Sequence, residues 1–234
     1  VVHDPSSHGG GGLFEDVAAD RGERHERWHV PDGGPPAPAE AYDAIMVFGG
    51  VQHPDQDDAY RWIPDEVGFI ARALDHGVPT IGVCLGSQLV ARAAGAWVGR
   101  AERSEVGWHP VTFVPEAQDD PVFGGMPAAV QAFQWHFYTF AVPEGGVQLA
   151  SSPAARQAYR LGDRTWGMQF HAEVTRQMLD VWLVDGESDL EKPVAEVRAE
   201  VDANLGTWNR CGPCSEKPGA APSRTRGRKS RSST

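Results

Sequence analysis

The sequence predicts an α/β fold: a doubly wound, mostly parallel sheet of flavodoxin-like three-layer build, in one domain that ends in a disordered tail. Two observations carry that expectation. Short apolar runs alternate with helix-period stretches through the first hundred residues, and such alternation implies parallel strands with helices on both faces. The second is the run Thr80-Ile81-Gly82-Val83-Cys84-Leu85-Gly86-Ser87-Gln88, in which an apolar strand passes through Gly-x-Cys-x-Gly straight into a helical pattern.

Taken in order, Val1-Val2-His3 reads as the end of a strand whose beginning is short or missing. Leu13, Phe14, Val17 and Ala18 are spaced for a first helix ending at Gly22, and Trp28-His29-Val30 reads as a second strand. Pro31 to Pro38 is a Pro/Gly loop, followed by a third strand from Ala44 to Phe48 that closes on Gly49-Gly50. Val67, Ile70, Ala71 and Leu74 mark a second helix stopped by Gly77, and Leu85 to Ala94 a third one behind Cys84. Short β-rich stretches follow at Val111–Val114, Val147–Ala150, Gln157–Leu161 and Thr165–Phe170, and a last helix spans Val194 to Trp208. Ligands of such sheets bind beyond the carboxyl ends of the strands, where Gly49, Cys84 and His171 all fall.

Cys84 sits where a thiol becomes a nucleophile. A sharp strand-to-helix turn leaves no room for a Cβ two positions either side, which Gly82 and Gly86 satisfy. At the start of a helix, partial positive charge and free N–H groups favour thiolate over thiol. A small buried hydrophobe is the bland alternative for a lone cysteine. Downstream, Gly167-Met168-Gln169-Phe170-His171-Ala172-Glu173-Val174 supplies the general base that a thiolate requires. On a strand, a spacing of two puts both side chains on one face, so Glu173 can hold one nitrogen of His171 while the other points at Cys84. The N–H groups of Gly50 and Leu85 then offer an oxyanion hole.

The ordered set Gly49-Gly50, Gly82-Val83-Cys84-Leu85-Gly86-Ser87-Gln88 and Gln169-Phe170-His171-Ala172-Glu173 resembles the class I glutamine amidotransferase family. It is most similar to free-standing members that look like the amidotransferase domain of GMP synthase, over about residues 1 to 185. Glu105-Val106-Gly107-Trp108 and Gln134-Trp135-His136 add softer matches. The resemblance implies that Cys84 attacks the side-chain amide of glutamine, with His171 moving the proton and Glu173 orienting it. Gly49, Gln88, His136 and Phe137 would contact the bound glutamine. No metal or organic cofactor is implied, and the ammonia would pass to a synthase or synthetase partner. Phe137-Tyr138 stands where many relatives carry Gly followed by an acidic residue, which implies a pocket reshaped toward another γ-glutamyl compound; Ala172 replaces a usual proline.

At 234 residues the chain can bury one good core, leaving residues 186–210 for a helical extension and 211–234 for a basic tail. A net charge of −11 argues against a general nucleic-acid surface. Five of the basic residues lie in Ser223–Thr234 with no acidic ones, so the rest carries 16 basic against 32 acidic residues, about −16. No apolar run reaches the roughly 20 residues needed to cross a bilayer, and three cysteines form no disulfide framework; a cytoplasmic setting is the expectation. Cys211-Gly212-Pro213-Cys214 resembles a thioredoxin tetrapeptide, but it follows a helix rather than a strand, and two thiolates alone leave a zinc site half empty.

Overall fold

The computed structural model describes residues 2–3, as backbone pairing, and 10–211, with side chains from 10 to 208. The basic tail and Gly212-Pro213-Cys214 lie outside the described residues, as does the side chain of Cys211. Among the described residues, nine strands form one sheet in the order β2-β1-β3-β4-β9-β8-β7-β5-β6. The strands β1 (Val2–His3), β2 (Arg27–Trp28), β3 (Ile45–Val47), β4 (Thr80–Val83) and β9 (Thr165–Met168) pair in parallel. From β9 onward the sheet continues antiparallel through β8 (Arg156–Leu161), β7 (Gly146–Ser151), β5 (Val98–Phe113) and β6 (Ala129–Phe140). The α/β class expected from the sequence is the one observed.

Alternation along the strands splits the apolar residues into two layers. Ile45 and Val47 pack with α2 (Trp62–Asp75) and α3 (Leu85–Ala93), through Ile63, Phe69, Ile70, Leu85 and Leu89. Met46, Ile81 and Val83 face the other layer, closed by α4 (Arg176–Asp185) and α5 (Val194–Cys211) and bordered by Phe14 of α1 (Leu13–Asp20). The α5 residues Val197, Val201, Leu205 and Trp208, at helical spacing, are buried in this same core. Trp208 stands edge-on to Phe170 at 5.8 Å, so the last helix supports the residue next to His171.

Several elements differ from the sequence expectation. The second strand ends at Trp28 because the chain enters the 3₁₀ turn Val30–Asp32, whose second residue is Pro31. Val111–Val114 is only the end of the 16-residue β5, whose partner β6 was not foreseen, nor was α4. The strand expected to run to Phe170 stops at Met168. Gln169 N–H still bonds the Gln157 carbonyl on β8 at 2.8 Å, in register with the ladder, and past it His171 N–H turns to the Phe133 carbonyl on β6 at 2.9 Å.

Candidate active site

The turn between β4 and α3 forces Cys84 to φ +52, the one positive value at a non-glycine among the described residues. Close packing fixes the glycines beside it. A Cβ on Gly86 would lie 2.0 Å from the Val47 carbonyl oxygen, and one on Gly82 would lie 2.6 Å from that of Gly86. The helix therefore sits directly on the strand, and its first residue, Leu85, presents an N–H with no acceptor inside the helix. Cys84 N–H bonds the Met168 carbonyl at 2.8 Å, tying this turn to the end of β9.

His171 and Glu173 meet as expected, but in a loop beyond β9 rather than on a strand. His171 Nδ1 and Glu173 Oε1 are 2.7 Å apart, both side chains buried. What replaces the strand is a set of backbone ties: Leu13 N–H bonds the Glu173 carbonyl at 2.9 Å, and Gly12, at φ +46, lets the chain come so near that a Cβ there would be 2.1 Å from that oxygen. His171 Nε2 is buried and makes no hydrogen bond with a described residue. Cys84 and His171 converge on Gly49, where an added Cβ would stand 3.3 Å from His171 Cε1 and 3.4 Å from Cys84 Cβ. Burial disfavours the imidazolium, yet Glu173 and the neighbouring Cys84 favour it more and raise His171 to about 10.

A cavity of about 280 Å³ opens over these groups. Every residue singled out from the sequence lines it: Gly49, Gly50, Cys84, Leu85, Gln88, His136, Phe137, His171 and Glu173. Gln88 is engaged from within, its Nε2 donating to the Tyr138 carbonyl at 2.9 Å and to Gln169 Oε1 at 3.0 Å. Both nitrogens of His136 face acceptors, the Tyr138 carbonyl and Glu105 Oε2, each at 3.1 Å. Gln88 and His136 thus hold the wall formed by β6.

Sequence reading missed other parts of the wall. His53 stacks on Tyr138 with centroids 4.2 Å apart; burial first, then Arg100, hold that imidazole below its usual range against Asp55. Trp182 of α4 lies edge-on to His171 at 4.9 Å and perpendicular to Trp135 at 6.4 Å. Trp135 Nε1 donates to Asp189 at 3.2 Å, while its carbonyl is 3.6 Å from Cys84 Sγ. The run Gly9-Gly10-Gly11-Gly12 was the available signal for the backbone approach to Glu173; nothing in the sequence pointed to Trp182 or Asp189. Among the described residues, no group of three or more His, Cys, Asp or Glu is arranged to hold a metal ion. No described helix is long and apolar enough to cross a membrane.

Comparison with known proteins agrees with this geometry. Residues 26–184 match the family model "Glutamine amidotransferase class-I". The chain is 27% identical over 215 residues to the glutamine amidotransferase-like protein YfeJ of Salmonella typhimurium, covering 89% of each. It is 30% identical to gamma-glutamyl peptidase 4 of Arabidopsis thaliana, over 71% of this chain and 68% of that one. A crystal structure of a glutamine amidotransferase from Methylobacillus flagellatus superimposes with a TM-score of 0.82 at 27% identity, covering 90% and 89% of the two chains. With its motifs in order, its fold matched and most of its length within the family model, the chain belongs to the class I glutamine amidotransferase family.

Proposed function

We propose that this protein hydrolyses the γ-amide of glutamine through Cys84, His171 and Glu173 and supplies the ammonia to a separate acceptor enzyme. The observation that carries this is a strained cysteine at a helix start that converges with a buried His–Glu pair on the floor of one cavity. Cys84 Sγ attacks the amide carbon, and the tetrahedral oxyanion is held by the N–H groups of Gly50 and Leu85. His171, kept cationic by Glu173, gives its proton to the departing nitrogen. The C–N bond breaks, ammonia leaves, and a γ-glutamyl thioester remains. Water, deprotonated by His171, then releases glutamate and frees the Cys84 sulfur beside a reprotonated His171. Free ammonia is lost unless captured, so an acceptor enzyme fits the chemistry; among the relatives are archaeal proteins named as glutamine-hydrolyzing subunits of GMP synthase. A cytoplasmic setting suits a catalyst that works through a free, unoxidised cysteine.

A second reading is favoured by Phe137 and Tyr138 on the cavity wall: hydrolysis of larger γ-glutamyl amides by the same three residues. The test is glutamate release by the full chain from glutamine and from γ-glutamyl amides, with and without Cys84→Ala. Wild-type turnover is expected to fall by about three orders of magnitude or more in Cys84→Ala. Unchanged turnover in that variant rules out Cys84 as the nucleophile.

A further inference from the structure

Resting on the hydrolysis of γ-glutamyl amides proposed above, the geometry points to a narrower substrate class: amides whose nitrogen carries an alkyl chain ending in a cation, held by Trp182, Trp135 and Asp189. A general acid must reach the departing nitrogen, so that nitrogen and its substituent lie on the His171 side of the cavity. Trp182 is the aromatic wall there, 4.9 Å from the His171 ring, and Trp135 stands at right angles to it. Two indoles at right angles thus line the cavity beside the departing nitrogen, and an alkylammonium next to indole rings is what cation–π attraction rewards. Asp189 closes the corner at the cavity mouth, its position set by the hydrogen bond from Trp135 Nε1.

The rest of the lining agrees in charge. No Lys or Arg is among the described residues of the cavity. Gln52 adds a buried carbonyl oxygen, Oε1, that has no hydrogen-bond partner among the described residues. An anionic substituent would meet Asp189 with no Lys or Arg in the lining to offset it, while an ammonium group would meet acceptors and aromatic rings. The acidic body also concentrates cations near the mouth. Ammonia needs none of these groups; a diamine leaving group uses each of them. In the reaction, the thioester forms as the C–N bond breaks, the diamine departs with the His171 proton, and water, deprotonated by His171, releases glutamate and frees the Cys84 sulfur.

The experiment measures kcat/KM of the full chain for glutamate release from glutamine and from the γ-glutamyl amides of 1,4-diaminobutane, n-pentylamine and 4-aminobutanoate. The diamine amide is expected to exceed its neutral pentyl isostere by about tenfold, and the acidic amide by more. Asp189→Asn, an exposed position, is expected to bring the diamine-to-pentyl ratio below about threefold, and Asp189→Lys to place the acidic amide ahead of the diamine amide. Equal rates for the three amides, or a ratio unmoved by the Asp189 variants, overturn the assignment while leaving hydrolysis intact. Loss of glutamine turnover in step with the diamine amide overturns it as well, placing the α-ammonium at Asp189 instead. If wild-type protein turns over none of the four compounds and an electrophilic glutamine analogue fails to label Cys84, the triad reading falls and the assignment with it.

Discussion

Two glycines in helices show how local surroundings decide the effect of one methyl group. Gly86, in α3, has the Val47 carbonyl 2.0 Å from where its Cβ would be; Gly68, in α2, has nothing within 4 Å. Gly86→Ala is therefore expected to cost about 3 kcal/mol and Gly68→Ala to add about 1 kcal/mol, both read from urea denaturation. A reversal of the order would mean that α3 does not sit on β3 as described. At the same scale, His171 is raised to about 10 because Glu173 and Cys84 outweigh its burial. Its folded value lies above the unfolded one of about 6.5. The stability it contributes is thus whole below pH 6.5 and lost as pH rises toward 10. Glu173→Gln removes the carboxylate, so the alkaline limb of kcat/KM is expected to move to lower pH. A limb that stays in place would mean that another group sets it.

Among elements, β5, β6 and β8 are joined by one buried carboxylate. Glu105 Oε2 accepts from Ser152 Oγ at 2.8 Å and Gln157 Nε2 at 2.9 Å, and faces His136 Nε2 at 3.1 Å. Burial opposes its charge, but His136 and Ser152, with His109, outweigh it and lower Glu105 below the usual carboxylate range. The stability this gives is present above the unfolded value of about 4.3 and fades as pH falls through the folded one. Glu105→Gln is expected to cost on the order of 2 kcal/mol at pH 7, with the gap to wild type closing below pH 4. A gap that persists in acid would locate the loss in packing rather than charge. This hairpin is also where the sequence was least legible. Four charged residues, Gly99, Gly107 and Pro110 break the alternation of β5, and opposite Phe137 the register jumps from Arg100 to Glu105. A bulge that displaces several residues erases the period on which strand reading depends.

At the scale of the whole molecule, the parallel strands and their helices were readable because each obeys a local period, and the strand-to-helix turn at Cys84 because Gly-x-Cys-x-Gly needs only its own neighbours. The His171–Glu173 pair was readable from spacing, although the spacing suggests a strand and the structure holds the pair in a loop pinned by Gly12 and Leu13. Trp182 and Asp189 escaped because they reach the cavity through tertiary packing of α4 and the turn after it. An acidic body around a small cavity also predicts that kcat/KM for a cationic amide declines as ionic strength rises, while that for a neutral one holds steady. Equal salt dependence for both would remove long-range attraction from the account.

The edge-on meeting of Trp208 with Phe170 carries a practical corollary. Proteolytic nicking between α4 and α5 would leave the proposed catalytic side chains untouched in the larger fragment, yet let the plug behind the histidine loop drift away. An inactive digest could then be revived by adding back the short helical peptide alone.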